Sequence, residues 1–335
     1  MSYTQTGAAS YHGTQAGGCQ CLEGIIQQQE GCTGAVVFAV SAACPRTPKY
    51  NISPTEGRVS TPDSSQDHTR RQASSMPIHA VLGATGNLGS ATLRDLLSSE
   101  IPDLTINILV RSKAKLLGAF PQLARGAVGN VNIFESPISD EAALAKCVRS
   151  ASVIYVCVST NHSGHTVDIA RSTAAYLIAA LNQLREAEGH DYKNPVILFN
   201  RSLTLSTEVQ LPGPVFMKKF FHFVIALVYE DLERASLLYD AAETEGLLTR
   251  ITVDAPMLVD GDGTVATGYK LIRSGTSSWF LSYADFGKAM VELGQRRGEF
   301  EGKAVGVSAT GKVRTNWSPS LWIILLGLRY RLLPF

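Results

Sequence analysis

The sequence predicts a doubly wound α/β fold, a mostly parallel sheet covered by helices on both faces. Three observations predict it. From residue 76 onward, short apolar runs alternate with helix-forming stretches at short spacing. The runs are continuous rather than alternating, as strands buried on both faces are. The first run ends in Gly83-x-x-Gly86-x-x-Gly89, a strand-to-helix turn of the Rossmann type.

Taken in order, Ile78–Leu82 is the first strand, and the glycine turn leads into a helix from about Leu88 to Ser98. Thr105–Val110 is the second strand, Lys113–Leu123 a short helix and Val131–Phe134 the third strand. Asp140–Ser150 is a helix with Asp140 as its N-cap, since a short acceptor side chain satisfies an orphan amide there. The β-branched run Val153–Val158 is the fourth strand, His165–Glu188 a long helix and Pro195–Phe199 the fifth strand. Asp285 is expected to cap a helix running to Arg296.

The 335 residues carry a net charge of +1, which gives no global attraction to nucleic acid or to an anionic membrane. No apolar run approaches the ~20 residues that span a bilayer. Residues 1–75 are rich in Gly, Ser, Thr, Gln and Ala without sustained periodicity, and read as a disordered extension. Within them Ala35–Ala43 resembles a signal-peptide core, but it starts far from the N-terminus and lacks a basic flank. Met76 directly precedes the first strand and is a candidate native start. Four of the six cysteines, Cys19, Cys21, Cys32 and Cys44, fall in the extension. Cys19-Gln20-Cys21 is not zinc-finger spacing, so no metal is expected, and Cys157 reads as a small buried hydrophobe. Together these features point to a cytoplasmic protein in a reducing compartment.

Each glycine of the turn has a physical task. Gly83 permits a tight exit from the strand, Gly86 lets a pyrophosphate approach the backbone, and Gly89 lets the helix pack closely on the sheet. The amides at the helix start, with Thr85, Asn87 and Leu88 around them, face the anion. Ser159, beyond the fourth strand, joins the expected cofactor set. The second strand ends in Arg111-Ser112-Lys113, without the carboxylate that binds ribose hydroxyls in NAD-preferring proteins. Arg111 and Lys113 therefore select the 2′-phosphate of NADP(H). A charge-assisted bond of this kind contributes roughly 1.5–3 kcal/mol.

The runs HAVLGATGNLGSATLRDLL, LVRS and LSYADFGKAMVE resemble the NmrA-like group of atypical short-chain dehydrogenase/reductases. Within that group, NRSLTLS, VYEDLERASLLYDAAE and DAPMLVDGDGT resemble the averufin oxidase A-like oxidoreductases of fungal aromatic polyketide clusters, over about residues 76–315. The resemblance implies an anthraquinone, anthrone or xanthone-type substrate for an NADP(H)-dependent oxidoreductase. A reduction, a dehydration-linked rearrangement or assistance to a partner oxygenase all fit. The NmrA-like likeness equally allows a non-catalytic NADP(H)-sensing regulator.

The Tyr-x-x-x-Lys pair of ordinary short-chain enzymes is absent; Tyr229, for example, is followed four places on by Glu233. Candidate catalytic residues lie elsewhere. Asn200, Arg201 and Ser202 follow the fifth strand, at the carboxyl end of the sheet. Ser202 either orients a substrate oxygen or caps a turn. Tyr229 either donates a proton or packs in the core. His162 or His165, after the fourth strand, can act as acid or base. Lys218, Lys219 and His222 are weaker candidates, more readily read as solvated or packing residues. The chain from about 203 is the expected substrate region, and residues 316–335 form an apolar C-terminal segment. Its octet Leu321–Leu328 is about 12 Å long as a helix, too short for a ~30 Å hydrocarbon core. It can lie on a membrane surface through residues 318–335, cover a flat substrate or dock on the body.

Overall fold

The computed structural model describes residues 76–126, 129–160, 167–259, 263–314 and 317–332. The N-terminal extension with its cysteines, and residues 161–166 with His162 and His165, lie outside them. The first half runs β1 (Ile78–Leu82), α1 (Asn87–Ser98), β2 (Thr105–Val110), α2 (Lys113–Ala119), α3 (Pro121–Ala124), β3 (Asn130–Glu135), α4 (Glu141–Val148), β4 (Val153–Val156), α5 (Ile169–Glu188) and β5 (Val196–Ser202). The second half adds β6 (Val209–Gln210), α6 (Val215–Val224), α7 (Ala226–Thr244), β7 (Thr249–Ala255), β8 (Met257–Val259), β9 (Tyr269–Ile272), β10 (Gly275–Thr276) and β11 (Phe280–Ser282). It ends with α8 (Tyr283–Gln295), α9 (Arg297–Phe300), β12 (Ala304–Ala309) and α10 (Trp317–Leu332).

The main sheet has the order β3-β2-β1-β4-β5-β7-β12-β9 and is parallel except for β9 against β12. The chain winds outward from β1 to β3, then returns to β4 on the other side of β1. That reversal opens a crevice at the carboxyl ends of β1 and β4, where such sheets bind ligands. Side chains of one face, such as Val81, Ile108, Val153 and Val253, pack with those of α1 and α8, including Leu93 and Phe286. Those of the other, such as Leu82, Ile154 and Phe199, pack with those of α4, α5 and α7, including Leu144, Leu177 and Tyr239. Each such buried large apolar side chain stabilises the fold by about 1.5–3 kcal/mol. Cys147 and Cys157 are buried free thiols, and burial pushes both pKa values up to about 12.

The expected doubly wound architecture is present, with differences at the element ends. The helix expected over Lys113–Leu123 is two, because Phe120 precedes Pro121 and takes a non-helical φ of −130°. The fourth strand ends at Val156 rather than Val158. The fifth extends to Ser202, because β7 pairs with Asn200, Arg201 and Ser202. Those three residues are therefore the end of the strand, not a loop beyond it. Asp140 does cap α4, accepting the Ala143 amide at 3.0 Å. Asp285 is not the cap of α8; Ser282 is, accepting the Asp285 amide at 3.0 Å. The Asp285 carboxylate instead accepts hydrogen bonds from the Ser282 hydroxyl, from the amide and hydroxyl of Thr267 and from the Gly268 amide. Burial alone raises its pKa, but these donors outweigh that and hold it below the ordinary value.

Helix α5 receives its N-terminal cap from a distance. Asp231 of α7 accepts the Ala170 and Arg171 amides at 2.8 and 3.0 Å. A carboxylate at a helix N-terminus satisfies orphan donors and complements the helix dipole. This bond fixes α7 against the start of α5, beside the carboxyl end of β4.

Candidate active site

The glycine turn is built by backbone crowding. Gly83 has φ +87°, and a Cβ there would lie 2.9 Å from the Cys157 carbonyl oxygen. A Cβ on Gly89 would fall 2.1 Å from the Gly83 oxygen, inside van der Waals contact. Gly86 differs. Its φ of −85° suits any residue, and a Cβ there meets only the Gly83 oxygen at 3.5 Å, an ordinary contact. The protein therefore has room for a side chain at 86, and the glycine leaves space for something outside it. The first turn of α1 carries no acidic residue and no side-chain cap. The amides of Asn87, Leu88 and Gly89 accordingly lack an intrahelical acceptor and form a ready anion site. This arrangement fits a diphosphate. Leu88 offers only its amide, because its side chain is buried in the core, while Thr85 is half-buried and Asn87 exposed at the turn.

At the end of β2, Arg111 and Lys113 are exposed, and Ser112 caps α2 by accepting the Lys115 amide at 3.2 Å. The sequence places no carboxylate on this segment, but the sheet brings one from its neighbour. Glu135, the last residue of β3, accepts the Lys113 amide at 2.8 Å.

A cleft open to solvent lies over the carboxyl ends of β4, β5 and β7. Ser159 and Thr160, just after the Cys157 carbonyl that Gly83 approaches, line it; Ser202, Thr204 and Tyr229 line its polar wall. Phe221, Ile225, Met257, Trp279 and Ile324 are among its apolar walls. The tertiary structure thus joins Ser202 and Tyr229, residues 27 apart. Ser202 Oγ lies 3.3 Å from Tyr229 Oη and from Thr204 Oγ1, and Tyr229 Oη lies 3.2 Å from Thr204 Oγ1. These contacts exceed the usual 2.7–2.8 Å of a hydroxyl pair, so an inserted oxygen can compete for them. The structural reading of each residue is present: Ser202 also accepts the Thr204 amide at 3.3 Å, and Tyr229 is largely buried. Lys218, Lys219 and His222 do not line the cleft. His222 is exposed, with its ring 5.4 Å from that of Tyr229, and Lys218 bonds Gln210 at 3.5 Å.

Two contributors, Thr204 and Asp254, escaped the sequence reading. Thr204 completes the hydroxyl cluster. Arg201 lines the cleft and forms a two-pronged ion pair with Asp254, Nε to Oδ1 at 2.8 Å and Nη2 to Oδ2 at 3.0 Å. A cation ending one apolar strand and an acid near the end of another were the available signal. Helix α10 supplies Ile324 and rests on α6, where a Cβ at Gly327 would lie 2.3 Å from the Val224 oxygen. The apolar C-terminal segment therefore docks on the body and walls the cleft. No described helix is long and apolar enough to cross a membrane. Among the described residues, no group of His, Cys, Asp and Glu side chains can hold a metal ion.

No protein-family model matches the chain. It is 39% identical over 257 residues to averufin oxidase A of Aspergillus flavus, covering 77% of this chain and 91% of that protein. It is 39% identical over 267 residues to averufin oxidase stcO of Emericella nidulans, covering 75% and 89%. Oxidoreductase AgnL4 of Paecilomyces divaricatus is 32% identical over 262 residues, covering 78% and 96%. Among solved structures, a short-chain dehydrogenase/reductase from Veillonella parvula in complex with NADP superposes with a TM-score of 0.52. That likeness, at 20% identity over 70% of this chain and 95% of the other, is one of fold. The long, high-coverage identities place the chain in the averufin oxidase A family of oxidoreductases.

Proposed function

We propose that this oxidoreductase exchanges hydride between NADP(H) and a fused aromatic polyketide of the anthraquinone, anthrone or xanthone type. The observation that carries the reading is the shared edge of two sites: the glycine turn packs on Cys157, and two residues further Ser159 begins the cleft. When bound, the nicotinamide supplies or accepts the hydride. The turn amides hold the diphosphate, and Arg111 with Lys113 hold the 2′-phosphate. The apolar walls exclude water and take a flat ring system. Tyr229, oriented by Ser202 and Thr204, donates a hydrogen bond, and then a proton, to the substrate oxygen at which charge develops. The names of the averufin oxidase relatives agree with a substrate of this class. A purely regulatory dinucleotide sensor needs the turn but leaves the lined cleft without a role.

The test is a titration of the full chain with NADPH and NADH, followed by turnover assays on hydroxyanthraquinones, anthrones and xanthones. The expected results are NADPH binding roughly tenfold or more tighter than NADH, lost in Arg111→Ala, and turnover of at least one polyphenol. Dinucleotide binding with no turnover across the panel would overturn the enzymatic reading in favour of the regulator. Equal affinity for the two dinucleotides would assign the strand end to Glu135 and NAD(H).

The exposed faces of α6 and α10 support a second, peripheral role. Phe216, Phe220, Trp322 and Leu325 are exposed on these helices, as are Lys219 and Arg329, and neither helix holds an acidic residue. Exposed apolar side chains together with cations and no acids suit the surface of an anionic bilayer. Co-sedimentation with phosphatidylserine vesicles, lost in Phe216→Ser/Trp322→Ser, is the expected result; a wild-type chain left in the supernatant would move this face to a protein partner such as an oxygenase.

A further inference from the structure

We propose that Arg201 is the anchor of the cleft for an ionised phenolic oxygen of the substrate, presented by Asp254 as a fixed hydrogen-bonding edge. The proposal rests on the aromatic-substrate reading above and adds the group by which such a substrate is held.

Arg201 is the one charged side chain among the described residues that line the cleft. Its position is set by the sheet: β5 and β7 pair with Arg201 beside Asp254, so the two side chains leave adjacent strands at the same level. Asp254 is almost wholly buried, its side chain 1% exposed, whereas that of Arg201 is 20% exposed. The carboxylate takes Nε and one hydrogen of Nη2, at 2.8 and 3.0 Å. A guanidinium has five N–H donors, so both hydrogens of Nη1 and the second of Nη2 remain. These are the donors a solvent-facing oxygen can reach. The planar fork is held before any ligand arrives, which removes much of the ordering cost of binding.

Stability alone is a poor reason for such a pair. A buried ion pair is often no better than well-packed apolar residues of the same volume, because desolvation offsets the attraction. A ligand-binding role accounts for it: Asp254 compensates the half-buried cation, and the remaining donors serve the cleft. The surroundings favour one ligand chemistry. Phe221 and Trp279 pack with ring centroids 6.0 Å apart and planes tilted by 54°, in an apolar wall suited to an aromatic body. A polyphenol carries an apolar ring system and an acidic oxygen at its edge, and low polarity around Arg201 strengthens the charge-assisted bond.

The experiment is a binding titration of the full chain with a monohydroxyanthraquinone, whose visible band shifts on ionisation, and with its methyl ether. The apparent pKa of the bound phenol should fall by roughly one to two units in the wild type, the equivalent of about one charge-assisted bond. The ether should bind roughly ten- to hundredfold more weakly. Arg201→Lys should retain part of the shift. Arg201→Met/Asp254→Leu, which removes both charges and keeps apolar volume, should abolish it and bind phenol and ether alike. An undiminished shift in the double variant, or a wild type that binds the ether as tightly as the phenol, would overturn the anchor. The wild-type comparison needs no variant, and retained NADPH fluorescence enhancement in each variant verifies its fold. The readout is also separate from turnover. A normal ionisation shift without hydride transfer would sink the oxidoreductase reading and keep the anchor, whereas turnover without any shift would do the reverse.

Discussion

The turn after β1 and the cleft over β5 and β7 solve the problem of binding in opposite ways. The turn uses backbone: three glycines within seven residues, two of them compelled by contacts under 3 Å and the third left open toward solvent. The cleft uses side chains drawn from Ser159 to Ile324, brought together by sheet register and helix packing. A backbone site is local and tolerates almost no side chain. A side-chain site is distributed, and its members can be exchanged while the frame persists. That contrast separates what the family needs to be a dinucleotide fold from what sets its chemistry.

The sharpest way to break the contrast is Gly89→Ala. Its methyl group would meet the Gly83 oxygen and carbon at 2.1 and 2.6 Å. Backbone must move, at an expected cost of about 3 kcal/mol, with loss of NADPH binding, as read by thermal unfolding and fluorescence titration. An unaltered melting curve would show the turn to be plastic. Next, Tyr229→Phe should lower kcat roughly a hundredfold and leave NADPH affinity unchanged, since its hydroxyl belongs to the cleft cluster. Unchanged turnover would pass the proton to another group. A smaller effect, and a more discriminating one, comes from Gly86→Ala. Here the protein accommodates the methyl group at 3.5 Å, so stability should hold while NADPH affinity falls roughly tenfold. If stability fell and affinity held, Gly86 would be a folding residue like Gly89.

An effect confined to acid pH concerns the strand beneath the turn. His79 of β1 is 2% exposed, with Nδ1 at 3.3 Å from Tyr155 Oη. Burial, followed by the charge of Arg297, lowers its pKa from 6.5 to about 4. The folded chain thus keeps it neutral while the unfolded chain protonates it below pH 6.5. Its contribution to stability is fully present above pH 6.5 and is lost as pH falls from 6.5 to about 4. The slope is at most about 1.4 kcal/mol per pH unit. His79→Gln should flatten urea midpoints across that window, and an unchanged slope would assign the acid sensitivity to carboxylates.

How much was legible in the sequence follows the same division. The first five strands, the turn, the α4 cap at Asp140 and the positions of Ser202 and Tyr229 could be read from local pattern, because apolar runs, glycine spacing and capping residues act over a few positions. The strand bounds around Ser202 could not, because pairing with β7 extends β5 beyond its apolar run. Asp285 looked like a cap, yet anchors Thr267 and Gly268, since a capping position and a buried carboxylate carry the same residue type.

By itself, then, the sequence determined the class of sheet, the turn with its free amides and the cations Arg111 and Lys113 at the end of β2. Only the tertiary structure decided that Glu135 reaches Lys113, that Asp231 caps α5, that Thr204 joins Ser202 and Tyr229, and that Asp254 holds Arg201 in the cleft. The physical reason is range. Backbone conformation and helix ends obey neighbours a few residues away, whereas hydrogen bonds and ion pairs between side chains depend on which strands and helices the packing sets side by side.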